Sequence, residues 1–230
     1  MHVPFRKYAR DTRRKEERKM EKEQKGMDVF ILLDRTGSMA PLWVEAVSSV
    51  NTYVQELKKD AAADRVTLAV FDTYEGKLNF DILRDGMPVG EWKNVGKEEV
   101  LPRGMTPLLD ALTKLITRAE ETNNEKTAIV VMTDGHENAS REVTKEAVKA
   151  TLDRVQEKNW QVNFLGANFD GFDQAGQLGV SRNNSMNFYI GHANVAMSST
   201  AERHRAYRNR GVVVHYSNQD RAKAKEDEVK

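Results

Sequence analysis

Apolar residues come in two alternating patterns along this chain. Short continuous runs have strand length and no polar face: MDVFILLD at 27–34, DRVTLAVFD at 64–72, KTAIVVMTD at 126–134 and WQVNFLGA at 160–167. Between them lie stretches with apolar spacings of three and four. In PLWVEAVSSVNTYVQELKK, Leu42, Ala46, Val50, Val54 and Leu57 share one helical face, and in LLDALTKLITRAEE so do Leu108, Leu112, Leu115 and Ile116. Uniformly apolar strands separated by amphipathic helices predict an α/β fold, a single doubly wound, mostly parallel sheet with helices on both faces.

The remaining segments fill in this plan. TKEAVKATLDRVQEKN predicts a helix with Thr144 as N-cap and Glu146 in its first turn. NFDGFDQAGQLG predicts a short helix, SMNFYIG a sheet strand, HANVAMSSTAERHRAYRNR a helix and GVVVHY a terminal edge strand. Residues 73–92 are less periodic. They predict one short antiparallel edge strand over 77–83, ending in a turn at Asp85-Gly86. No internal repeat or linker divides the chain. The expected organisation is a charged helical or disordered extension over 1–25, one domain over 26–216, and a polar tail over 217–230 that frays.

Composition narrows the chemistry. The absence of cysteine among 230 residues excludes disulfides, thiolate-bound zinc and thiol nucleophiles. Five scattered histidines form no HExxH pair, so a bound metal is expected to be hard and oxygen-ligated. The net charge of +1 argues against a general polyanion binder. Charge is concentrated at the start: residues 1–25 hold ten basic and five acidic side chains, a local +5 that leaves −4 for the rest. This arm, and the cluster of Arg203, Arg205, Arg208 and Arg210, predict solvated surfaces, with an acidic protein or a nucleic acid as the alternative contact. No apolar run is long enough to span a bilayer, and the basic start is not followed by an apolar leader. A cytoplasmic address without membrane contact is the expectation from these features.

Three turns carry the candidate chemistry: DRTGS at 34–38, GMTP at 104–107 and TDGHEN at 133–138. In an open α/β sheet, ligands bind at the carboxyl ends of the strands, so distant turns of this kind can converge. Asp34, Thr36, Ser38, Thr106 and Asp134 then form a set of two carboxylates and three hydroxyls. Such a set suits Mg²⁺, with Mn²⁺ as the alternative. An ion with few anionic ligands stays electron-poor enough to attract a further carboxylate from outside. Taken singly, each turn also has a local explanation, with Asp34 and Thr36 as helix caps and Asp134 as an Asx-turn residue. Capping does not require the three turns to coincide.

Together these turns resemble the von Willebrand factor A-type domain with its metal ion-dependent adhesion site. Asp34, Thr36 and Ser38 match the Asp-x-Ser/Thr-x-Ser pattern, with threonine where serine is common. Thr106 matches the threonine of the Gly-x-Thr-Pro turn, and Asp134 the aspartate of the Thr-Asp-Gly turn. The resemblance spans about residues 27–215. It implies a non-enzymatic module that binds a protein partner through Mg²⁺ and a partner Asp or Glu. The arm and the missing leader suggest an intracellular bacterial or bacteriophage member, in the host cytoplasm if viral.

Rim positions expected to select the partner are Met39, Trp43, Arg103, His136, Glu137 and Asn138; burial in the first helical turn is the alternative for Met39 and Trp43. Asn168, Asp170 and Asp173 are further candidates at the same sheet edge, with helix capping as the plainer account. Two other functions compete. Asp34 could be the nucleophile of a haloacid dehalogenase-like phosphoryl transfer, but Thr36 stands where that chemistry usually needs a second acid. Alternatively, the basic arm and the C-terminal helix could bind a partner without metal.

Overall fold

The computed structural model describes residues 26–60, 63–167 and 171–229. The extension expected over 1–25, and Asn168 and Asp170, lie outside the described residues. Strand β1 (Asp28–Asp34) leads through a 3₁₀ turn (Gly37–Leu42) into helix α1 (Trp43–Lys58). The hairpin β2 (Arg65–Tyr74) and β3 (Lys77–Pro88) is followed by a long connection to α2 (Leu108–Glu121). Then come β4 (Thr127–Thr133), α3 (Lys145–Glu157), β5 (Gln161–Ala167), α4 (Gly171–Gln177) and β6 (Ser185–Phe188). Helices α5 (Ala193–Arg210) and α6 (Asn218–Lys223) complete the chain.

The six strands lie in the order β3-β2-β1-β4-β5-β6. All pairs are parallel except β2 with β3. The pleat of β1 divides its side chains between two cores. Val29, Ile31 and Leu33 join the face covered by α1 and α5, while Phe30 and Leu32 join the face covered by α2 and α3. This accounts for the continuous apolar runs, because neither face of the central strands meets water.

The connections also fix where a crevice opens. From β1 the chain runs to α1 on one face and then to β2 on one side. From β4 it runs to α3 on the other face and then to β5 on the opposite side. The carboxyl ends of β1 and β4 therefore flank the point where the winding reverses. Leu33 pairs with Met132 across these strands, which sets Asp34 level with Thr133.

Three expectations need correction. The edge strand extends to Pro88, and its hairpin turn lies at Glu75-Gly76, where both residues have positive φ (49° and 72°). Asp85-Gly86 marks an irregularity instead: the pairing shifts register near Leu68, and Gly86 N donates to Thr67 Oγ1 at 2.9 Å. GVVVHY is not a strand; Val214 exchanges its backbone hydrogen bonds with the side chain of Gln161. The polar tail does not fray. Ser217 and Asp220 form a capping box that starts α6, and the segment then packs against β6, where Tyr189 N donates to Ala224 O and Asn187 N to Glu226 Oε2.

Three arginines of the α5 cluster are committed to internal ion pairs. Arg203 meets Asp220, Arg205 meets both oxygens of Asp60, and the buried Arg208 bridges Asp60 and the fully buried Asp64. These contacts fasten α5 and α6 to the domain, so the three side chains are not a solvated basic surface.

On the buried side of α5, His204 sits between Tyr53 and Asn163. Its Nδ1 accepts from the Tyr53 hydroxyl at 2.5 Å and its Nε2 donates to Asn163 Oδ1 at 2.8 Å. Burial lowers its pKa to about 3. Between pH 3 and the ordinary histidine value of about 6.5, the unfolded chain binds the proton that the folded chain refuses. This contribution to stability is complete above pH 6.5 and is lost as the pH falls, by up to about 1.4 kcal/mol per pH unit. Urea unfolding at pH 7, 5.5 and 4.5 should show a steeper decline for wild type than for His204→Gln. Parallel declines would contradict a neutral buried imidazole.

Candidate metal centre

Asp34 closes β1 and is fully buried. Both carboxylate oxygens are held: Oδ1 accepts from Thr36 N at 2.7 Å, and Oδ2 from Thr133 Oγ1 at 2.6 Å. Burial pushes the carboxyl up to about 6, against the hydrogen bonds from Thr133 and Thr36, which favour the charged form. From Asp34 the 3₁₀ turn brings two hydroxyls to the same place. Thr36 Oγ1 and Ser38 Oγ are 3.1 Å apart, and Ser38 Oγ donates to Asp134 Oδ1 at 2.7 Å. Thr106 Oγ1 reaches Thr36 Oγ1 at 3.4 Å. The five side chains singled out in the sequence thus meet in one cluster, across separations of up to 100 residues.

A glycine completes the arrangement. A Cβ on Gly135 would lie 3.6 Å from Ser38 Oγ and 3.7 Å from Thr106 Oγ1, so the backbone of the third turn faces the same oxygens. Burial raises the Asp134 carboxyl, while the Ser38 hydrogen bond lowers it. No group of three or more His, Cys, Asp or Glu side chains suited to a metal occurs among the described residues. The cluster instead combines two carboxylates with neutral hydroxyls, an all-oxygen donor set whose chemistry fits a hard divalent ion.

The surrounding residues hold these turns in register. Asn138 Oδ1 accepts from Thr106 N at 2.9 Å, and Asn138 N donates to Thr106 O at 3.1 Å. Glu137 accepts from Leu109 N, Ala139 N, Ser140 N and the Ser140 hydroxyl, tying the third turn to the start of α2. Glu137 and Asn138 therefore act as braces. Met39 is fully buried and Trp43 is buried with its indole N–H directed to the carbonyls of Lys97 and Val100. Neither stands at the rim; the 3₁₀ turn rolls both into the core. Arg103 and His136 are exposed. Tyr74, whose ring lies under the Arg103 guanidinium, and Leu101 and Met105, each two residues from Arg103 in the chain, are also exposed, and sequence reasoning missed them.

It also missed the bracing ion pairs. Arg35, between two cluster residues, is buried and lies 3.3 Å from Asp72 through Nε, without a well-formed hydrogen bond from that atom. Its Nη2 donates to Asp81 Oδ2 at 2.6 Å. Asp72 Oδ2 also accepts from Arg103 Nε at 2.7 Å. The backbones join as well, with Arg103 N donating to Arg35 O and Gly37 N to Gly104 O. Gly104 has φ +68°, and a Cβ there would lie 2.3 Å from Thr73 O, so the loop carrying Thr106 passes too close to β2 for any side chain.

The fold recurs in solved structures at low sequence identity. The vWF domain of the type V pili tip protein Mfa5 from Porphyromonas gingivalis superposes with a TM-score of 0.61 at 12% identity, over 84% of this chain and 98% of that one. A pilus adhesin, SpaC from Lactobacillus rhamnosus GG, gives 0.58 at 12% identity, over 78% and 30%. The manganese-loaded Plasmodium vivax TRAP protein gives 0.54 at 16% identity, over 78% and 74%. No curated protein matches the chain.

These neighbours correct one expectation. They include a pili tip protein, a pilus adhesin, a minor pilin and a thread matrix protein of the mussel byssus, so the cytoplasmic address does not stand. No helix among the described residues is long and apolar enough to cross a membrane. Domains of this fold family are in general non-catalytic interaction modules, which leaves the phosphoryl-transfer reading of Asp34 without support. The family model for the von Willebrand factor type A domain matches residues 28–202, from the first strand of the sheet into α5, and the chain belongs to that family.

Proposed function

We propose that this chain is a Mg²⁺-dependent protein-binding module that takes an acidic side chain of its partner at the cluster of Asp34, Thr36, Ser38, Thr106 and Asp134. The observation that carries this reading is the meeting of five oxygen-bearing side chains from three separate turns at the winding reversal. The manganese-loaded state named for one structural neighbour supports a divalent ion in this fold. Mn²⁺ is the natural substitute, since it shares the preference for oxygen donors.

A bound divalent ion would supply positive charge to which a partner carboxylate can attach. The chain's own residues prepare for it. Thr133 and the Thr36 amide hold Asp34 in one orientation, so its carboxylate is ordered before any ligand arrives. The Ser38 hydroxyl donates to Asp134 Oδ1, a hydrogen bond that an ion would displace at little cost because the hydroxyl oxygen keeps its lone pairs for coordination. Only two carboxylates belong to the cluster; ionised together they balance a divalent charge, but an octahedral ion asks for six oxygens and the other three side chains are neutral hydroxyls, so a coordination position would stay open to an outside carboxylate. Arg103 and His136 remain at the rim to influence which acidic partner is accepted.

Two outcomes follow for the isolated protein. Mg²⁺ at ten times its Kd should stabilise the fold by about 1.4 kcal/mol, raising the melting temperature by a few degrees for a chain of this length, on the order of 3–6 °C. Asp34→Ala should abolish the difference between melts in 10 mM Mg²⁺ and in EDTA; identical wild-type melts, together with no Mn²⁺ binding by electron paramagnetic resonance, would refute the metal reading. Thr106→Ala should separate binding from folding. The Thr106 hydroxyl makes only one long hydrogen bond within the cluster, at 3.4 Å. Its loss should lower Mn²⁺ affinity about tenfold, or 1.4 kcal/mol, and leave the melt in EDTA within a degree of wild type. An unchanged Mn²⁺ affinity would remove Thr106 from the ligand set.

A further inference from the structure

The guanidinium of Arg103 is anchored without being used up. Its Nε donates to the fully buried Asp72, and its Cζ stands 4.8 Å over the centroid of the Tyr74 ring. Its two Nη groups make no hydrogen bond or ion pair with any described residue, and the side chain is 48% exposed. A guanidinium presents its donors as a planar fork suited to a carboxylate. Here the fork is held at one edge by a buried anion and on one face by an aromatic ring, which leaves the outer edge open and little rotamer freedom to lose on binding.

Its position relative to the oxygen cluster is equally constrained. The Arg103 amide is bonded to the carbonyl of Arg35, which lies between Asp34 and Thr36. Arg103 and Thr106 are three residue steps apart, with Gly104 and Met105 between them, a backbone reach of at most about 11 Å. Gly104 fixes the path of that short span by its close approach to Thr73, and Met105 N is held by Thr73 Oγ1 at 2.8 Å. Along the chain between these two polar points stands Met105, 53% exposed, and the Tyr74 ring under the guanidinium is 55% exposed.

We infer that the partner presents a pair of acidic residues, one directed to the five-oxygen cluster and the other to the outer edge of the Arg103 guanidinium. This rests on the metal reading above and specifies the partner that reading leaves open. Charge complementarity sets the second acid, and the exposed flank of Met105 accommodates an apolar or glycine spacer between the two. Arg103 and the metal turns belong to the same braced loop pair, so the spacing between the two acidic groups is set by the protein and not by the ligand.

The test uses the full chain and capped glycine peptides bearing one glutamate, or two glutamates separated by one, two or three glycines. Binding is followed by amide chemical shifts in Mg²⁺ and in EDTA, and Mn²⁺ affinity is measured separately for every variant. The best two-glutamate peptide should bind wild type at least tenfold tighter than the one-glutamate peptide, and only with Mg²⁺ present. Arg103→Gln should reduce that ratio to near one. Arg103→Lys should do the same, because an ammonium committed to Asp72 has no second planar edge to offer. In a protein that binds Mn²⁺, equal affinity for both peptides, or a preference that survives both substitutions, overturns this inference alone. Failure of wild type to bind Mn²⁺ overturns the metal reading and this inference with it.

Discussion

A strand paired on both sides and covered on both faces has one place to display polarity, and that is its end. β1 meets this description: β2 and β4 flank it, and its side chains alternate between two cores. Its only carboxylates, Asp28 and Asp34, are at its two termini. The position of Asp34 follows from that constraint, and the position of the whole cluster follows from Asp34. Because Leu33 and Met132 share a register position, Thr133 is level with the carboxylate it holds. A one-residue slip would reverse the faces of every side chain in β4. The sheet's apolar pairing therefore serves as the ruler for an assembly of oxygens made from three distant turns.

The second constraint is electrostatic. Asp34 is buried beside Arg35, yet the arginine does not pair with it; Arg35 turns toward Asp72 and Asp81. This leaves the Asp34 oxygens to neutral donors, which order the carboxylate without neutralising it. Removing Asp72 would leave a buried guanidinium with one partly exposed partner, a loss of the kind that costs about 3–5 kcal/mol. The same carboxylate also holds Arg103, so the loop carrying Thr106 and the loop carrying Asp34 share one buried anion. Hydrogen bonding by Asp72 raises the Arg103 pKa further, keeping this guanidinium charged at every relevant pH.

Much of this was legible in the sequence because the strands that carry the turns are apolar throughout and the turns follow them directly. The oxygen cluster was legible for the same reason: strand ends are predictable where strands are. What escaped was the direction of side chains in irregular segments. Met39 and Trp43 lie beyond the last recognisable strand residue, and nothing in their spacing distinguishes a rim from a 3₁₀ turn that rolls inward. Asp85-Gly86 carried the signature of a hairpin turn, but the chain turns at Glu75-Gly76 and uses the later glycine where the register shifts. Asp72, Asn138 and Glu137 act by bridging segments far apart in sequence, and no local pattern announces that kind of bond. Arg205 and Arg208 of α5 were misleading in the same way, since their acidic partners Asp60 and Asp64 lie more than 140 residues away.

The C-terminal segment has a consequence for how copies of this sheet can meet. Its two edges are β3 and β6, and one of them is spoken for: Glu226 and the carbonyl of Ala224 take amides of Asn187 and Tyr189. A sheet with two open edges can hand strand pairing from copy to copy and grow into a filament. A sheet with a single open edge can pair with itself only about a two-fold axis, which closes after the second copy. The segment after α5 thus covers one edge of this sheet, and among the described residues β3 is the edge left for pairing of that closed, two-fold kind.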